Sequence, residues 1–140
     1  MQKIKHKTFL VLSIIVILIT HLGCDQNKSN VPQIEISNEI YIGKVIINRN
    51  GNDKFEIEIP IKNISENNIR IRQIQTSCNC LISNTLNLGL ILEPNESSIL
   101  KLYYRPTELD IGYIERVVFV YFHGFSNPIL ITLKGTVSKE

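Results

Sequence analysis

Apolar side chains recur at every second position through most of the chain beyond residue 32. Phe55, Ile57, Ile59 and Ile61 skip over Glu56, Glu58, Pro60 and Lys62, the pattern of a strand with one buried and one wet face. Pro60 has no N–H for a ladder, so it belongs at an edge or a bulge. Ile69 and Ile71 resume the alternation after turn residues 65–68. The phase then slips to Ile74, Thr76, Cys78 and Cys80, which predicts a bulge near Arg72 and Gln73. Leu86, Leu88, Leu90 and Leu92 predict another strand before a turn at Pro94 and Asn95, and Leu100, Leu102 and Tyr104 follow, ended by Pro106. Residues 113–122 are apolar on both parities, as expected of a central strand. A turn over residues 123–128 leads to Ile129, Ile131 and Leu133, then Gly135 and Val137. With residues 40–47 at the start, about seven short strands emerge, a spacing that predicts an all-β, antiparallel β-sandwich.

The first two dozen residues follow another rule. Lys3, Lys5 and Lys7 precede an uncharged apolar stretch, residues 9–22, that ends in Gly23-Cys24. A basic start, a short apolar run and a small residue before a cut describe a secretory signal peptide, here a helix. The run has 14 residues, and crossing a bilayer takes about 20, so a permanent span is the weaker expectation. Leu22-Gly23-Cys24 resembles a bacterial lipobox, with His21 where a Leu is usual. That resemblance implies cleavage before Cys24 and lipidation (palmitate among the acyl groups) of Cys24. Two or three acyl chains anchor stably at ~0.8 kcal/mol per buried CH2. The organisation expected is a lipoprotein signal peptide over residues 1–23, a polar, lipid-anchored flexible tether over 24–32, and one sandwich domain over 33–140.

Composition removes several functions. Three of the 15 basic residues lie in the signal, which leaves 12 against 13 acidic ones beyond it. Without a concentrated basic face, nucleic-acid binding is not expected. Ala is absent from the sequence, which disfavours a helical bundle. Of three histidines, His6 and His21 fall in the signal, leaving His123. One turn histidine is a poor start for acid–base or metal chemistry.

At Thr76-Ser77-Cys78-Asn79-Cys80, with Ile71 and Ile74 upstream, the chain resembles an uncharacterised family of bacterial envelope lipoproteins. That family is frequent in the Bacteroidetes, and its common motif is Ser-Cys-Gly-Cys-Thr. The likeness runs from about residue 40 to 137. It includes Ile42-Gly43-Lys44-Val45, Lys62-Asn63-Ile64-Ser65, Leu92-Glu93-Pro94-Asn95-Glu96, Gly112-Tyr113-Ile114, Asn127-Pro128-Ile129 and Leu133-Lys134-Gly135-Thr136-Val137. It implies an immunoglobulin-like sandwich akin to ASH (Hydin-type) domains and a place in the envelope, and it implies no activity. Asn79 and Asn95 stand where the family has Gly, and Asn is the residue that best replaces it in a left-handed turn. Leu81 stands where the family has Thr, which removes a hydroxyl.

Cys78 and Cys80 are the candidate disulfide or redox pair. Three states compete: a structural disulfide or two buried thiols, a labile thiol–disulfide site, or a soft-metal site of the Cu(I) type. Residues two apart in an extended strand have Cα atoms about 6.6 Å apart, near the upper end of disulfide geometry, so a bridge needs a turn at Asn79. Glu56 and Glu58 share a wet face, where Arg70 and Arg72 are their expected partners. Tyr103, Tyr104, Phe119, Tyr121, Phe122 and Phe125 could line a carbohydrate or peptide site, although packing is the default for strand aromatics. No phosphate loop, Ser-His-Asp set or zinc spacing is present in the sequence.

The expectation is a non-enzymatic, lipid-anchored cell-envelope module, extracytoplasmic and membrane-bound through Cys24, that binds a protein partner with its sheet edges. No cofactor or small-molecule substrate is expected. The alternative is an extracytoplasmic thiol-redox or Cu(I)-handling protein using Cys78 and Cys80.

Overall fold

The computed structural model describes residues 32–48, 54–84 and 87–140. Within them the chain runs β1 (Ile34–Ile36), β2 (Glu39–Ile47), β3 (Phe55–Asn63), β4 (Ile69–Thr76), β5 (Leu81–Ser83), β6 (Ile91–Leu92), β7 (Ser97–Tyr104), β8 (Gly112–Phe122) and β9 (Ile129–Lys139). Two sheets face each other, one ordered β1-β3-β7-β5 and the other β2-β9-β8-β4-β6. The all-β, immunoglobulin-like sandwich read from the alternation is therefore present. The expected signal-peptide helix and most of the tether lie outside the described residues.

Alternation generates the core directly. On β3, Ile57, Ile59 and Ile61 turn inward; Leu100, Leu102 and Tyr104 of β7 do the same beside them. Val118, Val120 and Phe122 of β8 and Ile131, Leu133 and Val137 of β9 meet them from the opposite sheet. β8 is the middle strand of five, as the double-parity run at 113–122 predicts. Such packing of branched side chains removes apolar surface from water at about 25 cal/mol per Å².

Four expectations are corrected. The described residues hold nine strands rather than seven, because the first segment switches sheets at Ser37 and Asn38 and two very short strands, β5 and β6, flank the connection to β7. The sandwich is not wholly antiparallel, since β2 pairs with β9 in parallel. Of the strand expected through Leu86, Leu88, Leu90 and Leu92, the described residues keep only β6: Gly89 takes φ of +78° in a turn, Leu88 is exposed, and Leu86 lies outside the described residues. Finally, the slipped alternation at Ile74 and Thr76 ends there, and Cys78 and Cys80 sit in the turn that follows. The bulge itself is present, as a register shift between Ile71 and Gln73.

Pro60 shows why its position is tolerated. Lys101 turns both backbone groups away from β3, toward Asn87, and Glu58 is its opposite number on β3. Backbone groups alternate sides along a strand, so Glu56, Glu58 and Pro60 all face the β1 side. β1 stops opposite Ile61. The missing N–H of Pro60 therefore points to a stretch of edge with no partner strand among the described residues, and the proline blunts it. Of the two turn asparagines, Asn95 takes the left-handed conformation at φ of 64°. Asn79 does not, so its substitution for Gly needs no positive φ.

Candidate functional site

The turn between β4 and β5 carries the chain from one sheet to the other. In it Cys78 and Cys80 are joined by a disulfide with Cα atoms 5.2 Å apart, well below the spacing of an extended strand. The turn at Asn79 supplies that shortening. Its backbone is held independently of sulfur. The Leu81 N–H donates to the Cys78 carbonyl at 3.3 Å, and the Arg105 N–H to the Cys80 carbonyl at 2.8 Å. The Thr76 hydroxyl lies 3.0 Å from the Cys78 carbonyl and 3.1 Å from that of Leu81. Ser77 is fixed to β8 by exchange with Val117, at 2.9 Å in each direction. Both cysteines are half-buried against the core, while Ser77 and Asn79 are exposed. A loop this small loses little unfolded-state freedom on closure, so the bond stabilises the fold by under ~2 kcal/mol on the chain-entropy relation.

The other candidates do not converge on that turn. His123 is exposed, and its N–H bonds the Arg70 carbonyl at the opposite end of β4. Cys24 lies outside the described residues. Among the described residues no group of three or more His, Cys, Asp or Glu could hold a metal ion. The expected pairing of Glu56 and Glu58 with Arg70 and Arg72 is overturned, because β3 and β4 belong to different sheets. Lys101, opposite them on β7, takes both carboxylates at 2.7 and 2.9 Å. The Glu56 carboxyl is held below its ordinary value chiefly by that Lys101 bond. The aromatic set is divided as well: Tyr104 and Phe122 are core residues, whereas Tyr103 lies under Lys54 with the ammonium 3.4 Å from the ring centre. Tyr121 packs with Arg72 on the outer face of the other sheet.

Sheet edges offer the remaining surface. The Asn38 carbonyl accepts from Thr132 and the Ile47 carbonyl from Glu140, which fixes the phase of β2 against β9 on either side of a bulge between Tyr41 and Gly43. Glu39 and Tyr41, then Lys44 and Ile46, accordingly turn their backbone groups outward. β2 ends its sheet, so this is a nine-residue edge interrupted by the bulge. Tyr41 and Ile46 are exposed along it. Among the described residues no helix is long and apolar enough to cross a membrane.

Three polar residues escaped the sequence analysis. Asn63 is fully buried and ties two turns together through its amide. It continues the inward parity of Phe55, Ile57, Ile59 and Ile61, a signal that was there to be read. Asn87 is 3% exposed and bonds both backbone groups of Lys101; nothing in the leucine alternation marks it. Asp110, buried, accepts from the Thr107 N–H at 2.7 Å and from Arg116. Thr107-x-x-Asp110 is a capping-box spacing, again legible beforehand. The nearby Tyr104 phenol is pushed up to about 12 by burial and by the Asp110 charge.

Known structures share this architecture at low identity. The ASH/PapD-like domain 7 of human CEP192 superposes with a TM-score of 0.62 at 11% identity, over 86% of this chain and 95% of that one. A protein of unknown function from Porphyromonas gingivalis W83 gives 0.59 at 15% identity, over 75% of this chain and 46% of that one. The secreted serine protease VesC from Vibrio cholerae gives 0.57 at 10%, over 81% of this chain and 25% of that chain. The chain thus spans less than half the length of the last two. These likenesses establish an ASH/PapD-like fold and nothing about activity. No curated protein matches the sequence. Residues 37–137 match the family described as Protein of unknown function (DUF1573), so the chain belongs to that family.

Proposed function

We propose that this protein is a non-enzymatic, lipid-anchored module of the bacterial cell envelope that holds a protein partner by adding a strand to β2. The observation that carries this is the outer edge of β2, where Lys44 and Ile46 present backbone donors and acceptors with no strand beside them among the described residues. Strand addition uses such groups for affinity, and flanking side chains such as Tyr41 and Ile46 for selection. The bulge and Lys44 limit indiscriminate edge pairing. A basic, apolar leader ending in Leu22-Gly23-Cys24 supports anchoring at the membrane through an acylated Cys24.

The substitution Ile46→Pro tests the binding reading. It removes an outward N–H and leaves the β9 ladder alone, so the domain should keep its circular dichroism. A photo-crosslinker at Lys44 should join a partner in intact cells when Ile46 is present and fail to do so in the Ile46→Pro variant. Retained cross-linking would eliminate edge addition. Mass spectrometry of the amino-terminal peptide should find acyl groups on Cys24, and Cys24→Ser should release the protein from membranes.

A further inference from the structure

We infer that Cys78 and Cys80 form a reversible thiol–disulfide exchange site, one that stays assembled when its bond is opened. The disulfide restrains little of the chain. It spans one residue, so it constrains the unfolded chain far less than a bond closing a long loop. The turn is instead fixed by the backbone bonds of Leu81 and Arg105, by the Thr76 hydroxyl, and by Ser77 held on β8. None of these involves a sulfur. Breaking the S–S bond therefore leaves two thiols on a frame that still keeps their Cα atoms close together. A preorganised dithiol re-forms its bond readily, because the ordering that brings the sulfurs together is already present in the reduced state.

The pair is also within reach of solvent. Both cysteines are half-buried, and they flank an exposed Asn79 on an exposed turn. Attack by an outside thiolate needs an approach to one sulfur, which a fully buried bridge denies. The co-substrate is a thiol. Its thiolate attacks one sulfur of the pair, forming a mixed disulfide and releasing the other cysteine as a thiolate, which takes up a proton. A second thiol then attacks the mixed disulfide. Two thiols become one disulfide, and Cys78 and Cys80 gain two electrons and two protons. The reverse sequence, with an added disulfide as oxidant, restores the bridge. This inference is independent of strand addition at β2, which uses a different edge.

Native protein in millimolar reduced glutathione, with free thiols read by alkylation and peptide mass, tests it. Both cysteines should become labelled and should be protected again by oxidised glutathione. The near-ultraviolet dichroism should stay that of the folded oxidised form, and the guanidinium midpoint should fall by no more than the closure of so small a loop accounts for. The Cys80→Ser variant should retain a single thiol, Cys78, that attacks oxidised glutathione in the folded state, forming a mixed disulfide and releasing one reduced glutathione. The double substitution Cys78→Ser, Cys80→Ser should fold, with a midpoint lowered by no more than that same amount. Labelling that appears only after denaturation would overturn the inference. So would unfolding on reduction, or a double variant destabilised well beyond what so small a loop accounts for, either of which makes the bond structural.

Discussion

Ile42 lies across the backbone of Gly135: a Cβ placed on that glycine would fall 2.7 Å from Ile42 Cγ1 and 2.9 Å from the Gly43 carbonyl oxygen. The parallel pairing of β2 with β9 passes through its bulge at this point. A methyl group there must displace backbone as well as a side chain. Gly135→Ala is expected to lower stability by about 1–3 kcal/mol, the range for overpacking. Urea unfolding should show a lower midpoint at an unchanged slope. A wild-type midpoint would mean that the bulge yields freely.

Asn63 joins the β3–β4 turn to the turn before β7. Its Nδ2 group reaches the carbonyls of Asn67, Leu92 and Glu93 at 2.8, 2.9 and 3.1 Å, and its Oδ1 accepts from the Ser65 N–H at 2.9 Å. Asn63→Leu keeps the apolar parity of β3 but leaves buried carbonyls unpaired, at about 1–3 kcal/mol for each group stranded. Guanidinium unfolding should therefore show a loss of at least ~2 kcal/mol. An unaffected or stabilised variant would show that burial alone sets this position.

One-sided burial decides which strands the order of residues displays. β3, β7, β8 and β9 announce themselves because one face is buried, and period-two burial writes itself into the order of residues. β1, β5 and β6 are two or three residues long, too short for any period, and their pairing is decided by chain crossings that lie far apart in sequence. The parallel β2–β9 pair has no local signature at all. Among site residues, the cysteines were visible as a pair because their chemistry is rare, while the hydrogen-bond frame that holds their turn comes from Arg105 and Val117, more than two dozen positions away.

Acid should weaken the fold through Asp110. Burial raises its carboxyl, but the Thr107 N–H and the Arg116 guanidinium outweigh burial and hold it below its ordinary value. A group whose folded value is depressed lends stability above its unfolded value, about 3.9, and that stability is lost as pH falls through the folded one. The melting temperature should fall below pH ~4, and less steeply in Asp110→Asn. That variant should also be weaker at neutral pH by about 1–2 kcal/mol, since Arg116, itself partly exposed, loses a charge-assisted partner but keeps contact with water. Glu56 and Glu108 are lowered too, but exposed pairs add little. Equal acid sensitivity in both proteins would assign the effect to other carboxyls.

β5 pairs with β7 opposite Leu102, Tyr103 and Tyr104; at Lys101 the Asn84 N–H reaches the carbonyl at 3.0 Å, and a side chain completes that cover. The Asn87 Nδ2 group donates to the Lys101 carbonyl at 2.7 Å, and the Lys101 N–H donates back to Oδ1 at 3.1 Å, so the amide pairs as a strand residue would. Asn87→Ala removes both bonds without touching the β3 side of β7, where the N–H groups of Leu100 and Leu102 point. Native-state hydrogen exchange separates these effects. The Lys101 amide should lose protection beyond the global loss in stability, while Leu100 and Leu102 fall only by the global amount. Uniform loss across all three would mean that Asn87 acts through packing and does not substitute for a missing strand.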